Sequence, residues 1–271
     1  MSVSAKTRAV TFACPKHGEY EGEILRIDFP GRRPMEFPSA CPVCHRLMEG
    51  ENARREADDR GRAEIAKWRD MSIEPRFYGA DFDGFDAYNA ELRGNLEACR
   101  AFAADPVGNL VMLGGNGNGK THLAVSVLKA VGGVIYTAYE IGVNLRRSYN
   151  GEANEWEVLR EICEAPLLVM DEVEKLRDSE AKQHWFSFVM GKRYNLELPT
   201  VFIANCHNAK DCKAPNRPCP RCLESHLEND VLSRVRESRV VLKFGSEDYR
   251  KKIEDRREGL RGLYLRAVPK N

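Results

Sequence analysis

Residues 114–121 read GGNGNGKT, between the apolar run NLVML and the helical pattern THLAVSVLKAV. Glycines at 114 and 119 followed by Lys120 and Thr121 give the spacing G-x-x-x-x-G-K-[ST], which predicts a phosphate-binding loop. Each residue type has a reason. Gly114, Gly115, Gly117 and Gly119, with Asn116 and Asn118 between them, let successive backbone N–H groups curl around phosphate oxygens. The helix that follows adds positive potential from its N-terminus. Lys120 can reach β- and γ-phosphates, and the Thr121 hydroxyl can bind Mg²⁺, so ATP with Mg²⁺ is the expected ligand.

Downstream, the apolar run PLLVM ends in Asp171 and Glu172. At the carboxyl end of a strand, Asp171 is placed to hold Mg²⁺. A second carboxylate beside it can take a proton from an attacking water, and that is Glu172. A metabolite kinase needs the first carboxylate but not the second, so the pair favours hydrolysis. Another apolar run, PTVFIAN, ends in Asn205, which would lie beside the γ-phosphate and orient water. Arg234, Arg236 and Arg250 have the chemistry to stabilise a transferring phosphoryl group, but composition alone assigns them no role.

A second kind of chemistry lies in the cysteines. Nine of them, an odd number, fit metal binding better than a disulfide framework. CPKH at 14–17 and CPVC at 41–44 offer Cys14, His17, Cys41 and Cys44, a Cys₃His set suited to tetrahedral Zn²⁺. The stretch between them alternates enough to form the hairpin of a zinc ribbon. Residues 206–222, CHNAKDCKAPNRPCPRC, hold Cys206, Cys212, Cys219 and Cys222. CPRC repeats the knuckle of CPVC, whereas Cys206 and Cys212 are loosely spaced. The expected ligands of a second Zn²⁺ are these four cysteines, with His207 and His226 as possible substitutes; the plainer alternative is an unfolded loop with incidental thiols. Cys99 and Cys163, alone in helical patterns, read as buried apolar side chains.

These groups need elements to position them. At 42% apolar and 31% charged, the 271 residues can bury a sizeable core. The pattern predicts a zinc-ribbon-like module over 1–48, a charged helical linker over 49–75 and an α/β domain over 76–271, with 206–226 as an insertion. Within that domain NLVML, GVIYTAY, PLLVMDEV, PTVFIAN and RVVLKF read as strands. Their near-continuous apolar character predicts a five-stranded parallel sheet flanked by helices. A net charge of +1 excludes a polycation, so any contact with nucleic acid must come from local patches. Arg146 and Arg147 beside Tyr149, and the tail 250–271 with eight Lys/Arg against three Asp/Glu, are the candidates. No run is apolar enough for a signal peptide or a membrane span, which fits a cytosolic chain.

Taken in order, these landmarks resemble the DnaC/IstB-like branch of the AAA+ ATPases from about residue 75 to 250. EPRFYGADFDGF is similar to the lead-in, NLVMLGGNGNGKTHLA to the Walker A segment with His122 after its threonine, and APLLVMDEV to Walker B. GKRYNLELPTVFIAN resembles the segment ending in sensor 1, DVLSRVRES the arginine-finger segment, and GSEDYRKK the closing segment with sensor 2. The resemblance implies that Arg234 is an arginine finger acting in trans and Arg250 is sensor 2. It implies self-association through the ATPase domain. It also implies one of two functions: loading a hexameric replicative helicase onto single-stranded DNA, or assisting a transposase as IstB-type proteins do. The cysteine-bearing N-terminus resembles phage or prophage DnaC-type loaders. The cysteine-rich insertion between Asn205 and Arg234 departs from the family pattern.

Overall fold

The computed structural model describes residues 4–30, 33–149, 155–178, 180–216, 218–237, 240–245 and 248–249. The chain divides into two compact units, 1–66 and 67–271.

In the first unit, β1 (Ser4–Cys14) and β2 (Gly18–Asp28) pair antiparallel from Ser4 opposite Asp28 to Cys14 opposite Gly18. The turn between them is tight because Gly18 takes φ +81°, a conformation that costs glycine nothing. A short third strand, β3 (Met35–Pro38), pairs with β2. The 29-residue helix α1 (Pro42–Asp70) follows, starting inside the second cysteine pair and not after it at 49. Pro42 suits a first helical position, and the helical spacing of Cys41 and Cys44 turns both sulfurs to one side. Cys41 is the one buried residue among the described residues of this unit, so almost no apolar core holds it together.

The second unit runs through α2 (Ala90–Ala104), β4 (Asn109–Gly114), α3 (Lys120–Val131), β5 (Val134–Thr137), α4 (Ala138–Tyr149) and α5 (Glu155–Glu164). It continues with β6 (Leu168–Asp171), α6 (Glu180–Asn195), β7 (Thr200–Ala204), α7 (Asn229–Arg236) and β8 (Val240–Phe244). The strands form a parallel sheet in the order β5-β6-β7-β4-β8. Alternate side chains enter two separate cores. Val111, Leu113, Met170 and Phe202 go to one face; Leu110, Met112, Val169 and Ile203 go to the other. This is why β4, β6 and β7 read as unbroken apolar runs. The expected strand GVIYTAY stops at Thr137 because a capping box starts α4 there. The Thr137 hydroxyl accepts from Glu140 N–H at 3.1 Å, and the Glu140 carboxylate accepts from Thr137 N–H at 2.8 Å.

Arg193, near the end of α6, is fully buried. Its guanidinium donates to Ile162 and Ala165 carbonyls at 2.9 Å, to the Pro199 carbonyl at 2.6 Å and to the Thr200 hydroxyl at 3.0 Å. It thereby ties the ends of α5 and α6 to the start of β7. Arg193→Met would leave these buried carbonyls without a donor and is expected to cost about 3 kcal/mol or more, read as a lower urea midpoint. An unchanged midpoint would show that the tie is dispensable.

Candidate active site

The phosphate loop sits where β4 ends and α3 begins, and its backbone explains its composition. Gly114, Gly117 and Gly119 have φ of +148°, +72° and +93°. A methyl group at each would collide with Phe244, Asp248 and Phe85 respectively. Lys120, 4% exposed, donates to the Gly114 carbonyl at 3.1 Å, to the Gly115 carbonyl and to Asn118 Oδ1 at 3.0 Å. Asn118 in turn donates to the Gly245 carbonyl at 2.8 Å, which anchors the loop to the chain just after β8.

One pocket joins this loop to the strand ends: Asn116, Gly117, Lys120, Thr121, Asp171, Glu172 and Asn205 line it. The Thr121 hydroxyl donates to Asp171 Oδ2 at 2.9 Å, and the Glu172 N–H donates to Asp171 Oδ1 at 2.7 Å. Hydroxyl and carboxylate thus meet at the point where a P-loop site holds Mg²⁺. Burial raises the Asp171 carboxyl above its ordinary value of 3.8, against the lowering effect of those two donors. Glu172 leaves the strand with φ +58° and pairs with Lys175 at 2.7 Å. The neighbouring Glu174 holds Asn205 twice, accepting from its backbone N–H at 3.0 Å and its side-chain amide at 2.8 Å. That fixes the amide's orientation.

The other end of the pocket is aromatic, with Phe77, Phe85, Tyr88 and Tyr249 and the charged groups Arg76 and Asp86. Tyr249 N–H donates to the Gly117 carbonyl at 2.9 Å, its hydroxyl donates to Asp86 at 2.9 Å, and its ring stacks with Tyr88 at 6.3 Å. Such a surface can take a planar base while the loop takes the phosphates. His122 lines the pocket too, with Nε2 bonded to the Asp81 carbonyl at 2.8 Å and its ring against Phe85 at 5.4 Å.

Arg234 is absent from the described residues that line this pocket. It lies on α7 with its guanidinium 5.9 Å from the Tyr194 ring. Arg250, the tail 250–271 and the side chains of Arg146, Arg147, Tyr149 and Arg236 lie outside the described residues. Glu174 and the aromatic end were not read as site residues from the sequence. The signals available were a third acidic residue in DEVE and the clustered aromatics of PRFYGADFDGFDAY.

Both cysteine groups converge. Cys14, His17, Cys41 and Cys44 present ligand atoms within 4.8 Å of one another, with Cys14–Cys44 at 3.7 Å and Cys44–His17 at 3.3 Å. Tetrahedral zinc with Zn–S near 2.3 Å sets neighbouring sulfurs about 3.8 Å apart, so the donor set fits the ion. The Lys16 backbone N–H, helped by the His17 ring, pulls the Cys14 thiol down to about 6, and Cys14 in turn pushes Cys44 up to about 11. The second group differs from the expected ligand set. His207 joins Cys212, Cys219 and Cys222, whereas Cys206 is buried among apolar residues of the core such as Leu223 and Leu227. Where β7 ends, consecutive side chains point opposite ways, so Cys206 turns inward and His207 turns to the cluster. His226 also stays outside the group.

No family model matches the chain, and no curated protein matches it in sequence. Solved structures do match in fold. The DnaC helicase loader superposes with TM-score 0.55 at 24% identity, covering 63% of this chain and 99% of that one. DnaI gives TM-score 0.51 at 19% identity, covering 64% and 95%. The replication initiator DnaA bound to AMPPCP and single-stranded DNA gives 0.50 at 16%, covering 64% and 51%, so this chain spans about half the initiator's length. The second unit has the AAA+ fold. Among the described residues no helix is long and apolar enough to cross a membrane.

The raised Asp171 carboxyl has a consequence for stability. Without nucleotide and Mg²⁺, the folded chain keeps this proton to higher pH than the unfolded chain does. The group's contribution to stability therefore falls as pH rises from 3.8 through the raised value. Between about pH 4 and neutrality the parent should lose more stability than Asp171→Asn in denaturant titrations. Parallel pH dependences would show that burial does not hold the proton.

Proposed function

We propose that this chain is an ATP-dependent loader of a hexameric replicative helicase onto DNA, acting in the cytoplasm of a bacterial cell and hydrolysing ATP at boundaries between its own subunits. One observation carries the reading: Lys120, Asp171, Glu172 and Asn205 line a single pocket around a phosphate loop, while Arg234 lies elsewhere, against Tyr194. Among the described residues the one arginine lining the pocket is Arg76, which lies over Phe77 and pairs with Glu74 at 2.7 Å; an arginine from a neighbouring subunit would complete the hydrolytic set. The fold neighbours named as a helicase loader and as an initiator bound to single-stranded DNA support the substrate class.

In this reading the loop's N–H groups and Lys120 hold the β- and γ-phosphates, and Thr121 and Asp171 hold Mg²⁺. The bound Mg²⁺ neutralises charge on the phosphate oxygens. Glu172 accepts the proton of the attacking water, Asn205 orients that water, and a neighbour's Arg234 meets the charge on the transferring phosphoryl group. Arg250 is assigned the sensor 2 role. Cys14, His17, Cys41 and Cys44 hold a structural zinc in place of the core the first unit lacks. Met35 and Phe37 on β3 and Leu47 and Met48 on α1 are 45–60% exposed in that unit, and the docking of a protein partner is assigned to them. Single-stranded DNA binds through Arg146, Arg147 and the basic tail.

Lys120→Ala should lose nucleotide binding, and Glu172→Gln should keep it while turnover falls roughly 100-fold. Parental turnover in Glu172→Gln would remove that residue as the base. Mixing Arg234→Ala with Lys120→Ala chains should restore part of the ATPase activity, because one kind of mixed boundary has both groups intact. Absence of recovery in proven mixed oligomers would rule out action in trans. Pull-down from host lysate should recover a hexameric helicase; a transposase instead would overturn the loader assignment.

A further inference from the structure

Between Asn205 and α7 the chain makes an excursion that apolar burial alone does not explain. Apart from three prolines, the non-cysteine apolar side chains of residues 207–222 are two alanines, with no Val, Leu, Ile, Met, Phe, Tyr or Trp, yet Cys212 and Cys222 are 2% and 0% exposed. Such a segment has too little apolar surface to order itself. Its backbone nevertheless closes at one point. His207 and Cys222 lie side by side in a parallel bridge, with His207 N–H donating to the Arg221 carbonyl at 3.2 Å and Leu223 N–H to the His207 carbonyl at 2.8 Å. Cys219 Sγ lies 3.5 Å from His207 Nε2 and 3.7 Å from Cys222 Sγ, and all four donor atoms fall within 4.8 Å. A disulfide would need about 2.0 Å between sulfurs. The observed spacing is that of ligands around a tetrahedral ion.

We propose that His207, Cys212, Cys219 and Cys222 bind a zinc ion that staples the end of β7 to the segment leading into α7. Four protein ligands leave no open position, so the metal is structural. Its place gives it a mechanical role. Asn205, held by Glu174 in the pocket, is two residues before the ligand His207. Leu223, one residue after the ligand Cys222, enters the same core cluster as Val231, Leu232 and Val235 of α7. The metal therefore connects the pocket's Asn205 to the helix carrying Arg234 through a short rigid path, bypassing the loop. Asp211 pairs with Lys243 of β8 at 2.8 Å, fastening the loop's outer part to the strand whose end anchors Asn118. The coupling of the two catalytic groups rests on the ATPase assignment; the metal itself does not.

Elemental analysis of the full chain should find two zinc ions, one for each donor group, falling to one in Cys219→Ser/Cys222→Ser. Cys206→Ala should keep both. Because losing buried Cys222 can impair folding, His207→Cys supplies a second arm: it should retain both metals, and in the cobalt-loaded protein the visible ligand-field bands should move toward those of an all-thiolate site. A single zinc that disappears with Cys41 and Cys44, or loss of metal in Cys206→Ala with His207→Cys leaving the cobalt spectrum unchanged, would overturn the assignment. Nucleotide binding by Cys219→Ser/Cys222→Ser should persist while ATPase activity falls at least several-fold. Parental ATPase activity in the one-zinc protein would refute the coupling and leave the ATPase assignment intact, whereas a parent without ATPase activity would refute that assignment and the coupling with it, and leave the metal site standing.

Discussion

The absence of side chains at three positions of the phosphate loop is the constraint on which the second unit turns. The backbone of Phe244 at the end of β8 leaves no room for a Cβ at Gly114. The side chains of Asp248 in the closing segment and Phe85 in the lead-in would have to shift to admit one at Gly117 and Gly119, where positive φ disfavours any L side chain as well. Three segments distant in sequence therefore meet on one glycine-rich turn, and the pocket is the space they enclose. Lys120 brings a charge into this enclosure and is met by carbonyl and amide oxygens of the loop itself. The loop is organised around its ammonium before any phosphate enters, which lowers the ordering cost of binding.

A second tier of polar groups fixes what the loop faces. Arg193 locks the start of β7 from behind, and Glu174 locks Asn205 at its other end. Between them lies a strand whose five residues are all buried. A buried strand anchored at both ends cannot slide, so Asn205 keeps its register relative to Asp171 on the neighbouring β6.

How much of this could be read from the sequence depended on whether the determinants were local. Apolar runs marked all five sheet strands, in β4, β6 and β7 because burial on both faces removes polar alternation, and the phosphate loop is a contiguous motif. Asp171, Glu172 and Asn205 were legible as strand ends. The aromatic end of the pocket was not, because Phe77, Phe85, Tyr88 and Tyr249 come together only through the fold and each alone looks like a core anchor. Choosing between Cys206 and His207 was equally out of reach: both residues are adjacent potential ligands, and only the direction in which each leaves β7 separates them. The end of β5 was decided by a four-residue capping box, TAYE, whose local bonds outcompeted the β-propensity of the residues before it.

Glu172 occupies left-handed backbone space, with φ +58°. For a residue with a Cβ that conformation costs roughly 1–2 kcal/mol, which glycine would not incur and asparagine would incur only in part. Substitutions that stabilise the chain at this position are therefore the ones that remove the carboxylate proposed to activate water. Selection for thermal robustness and selection for turnover pull in opposite directions at a single codon. Repeated enrichment for stability alone, without a requirement for ATP hydrolysis, would be expected to erode this site early.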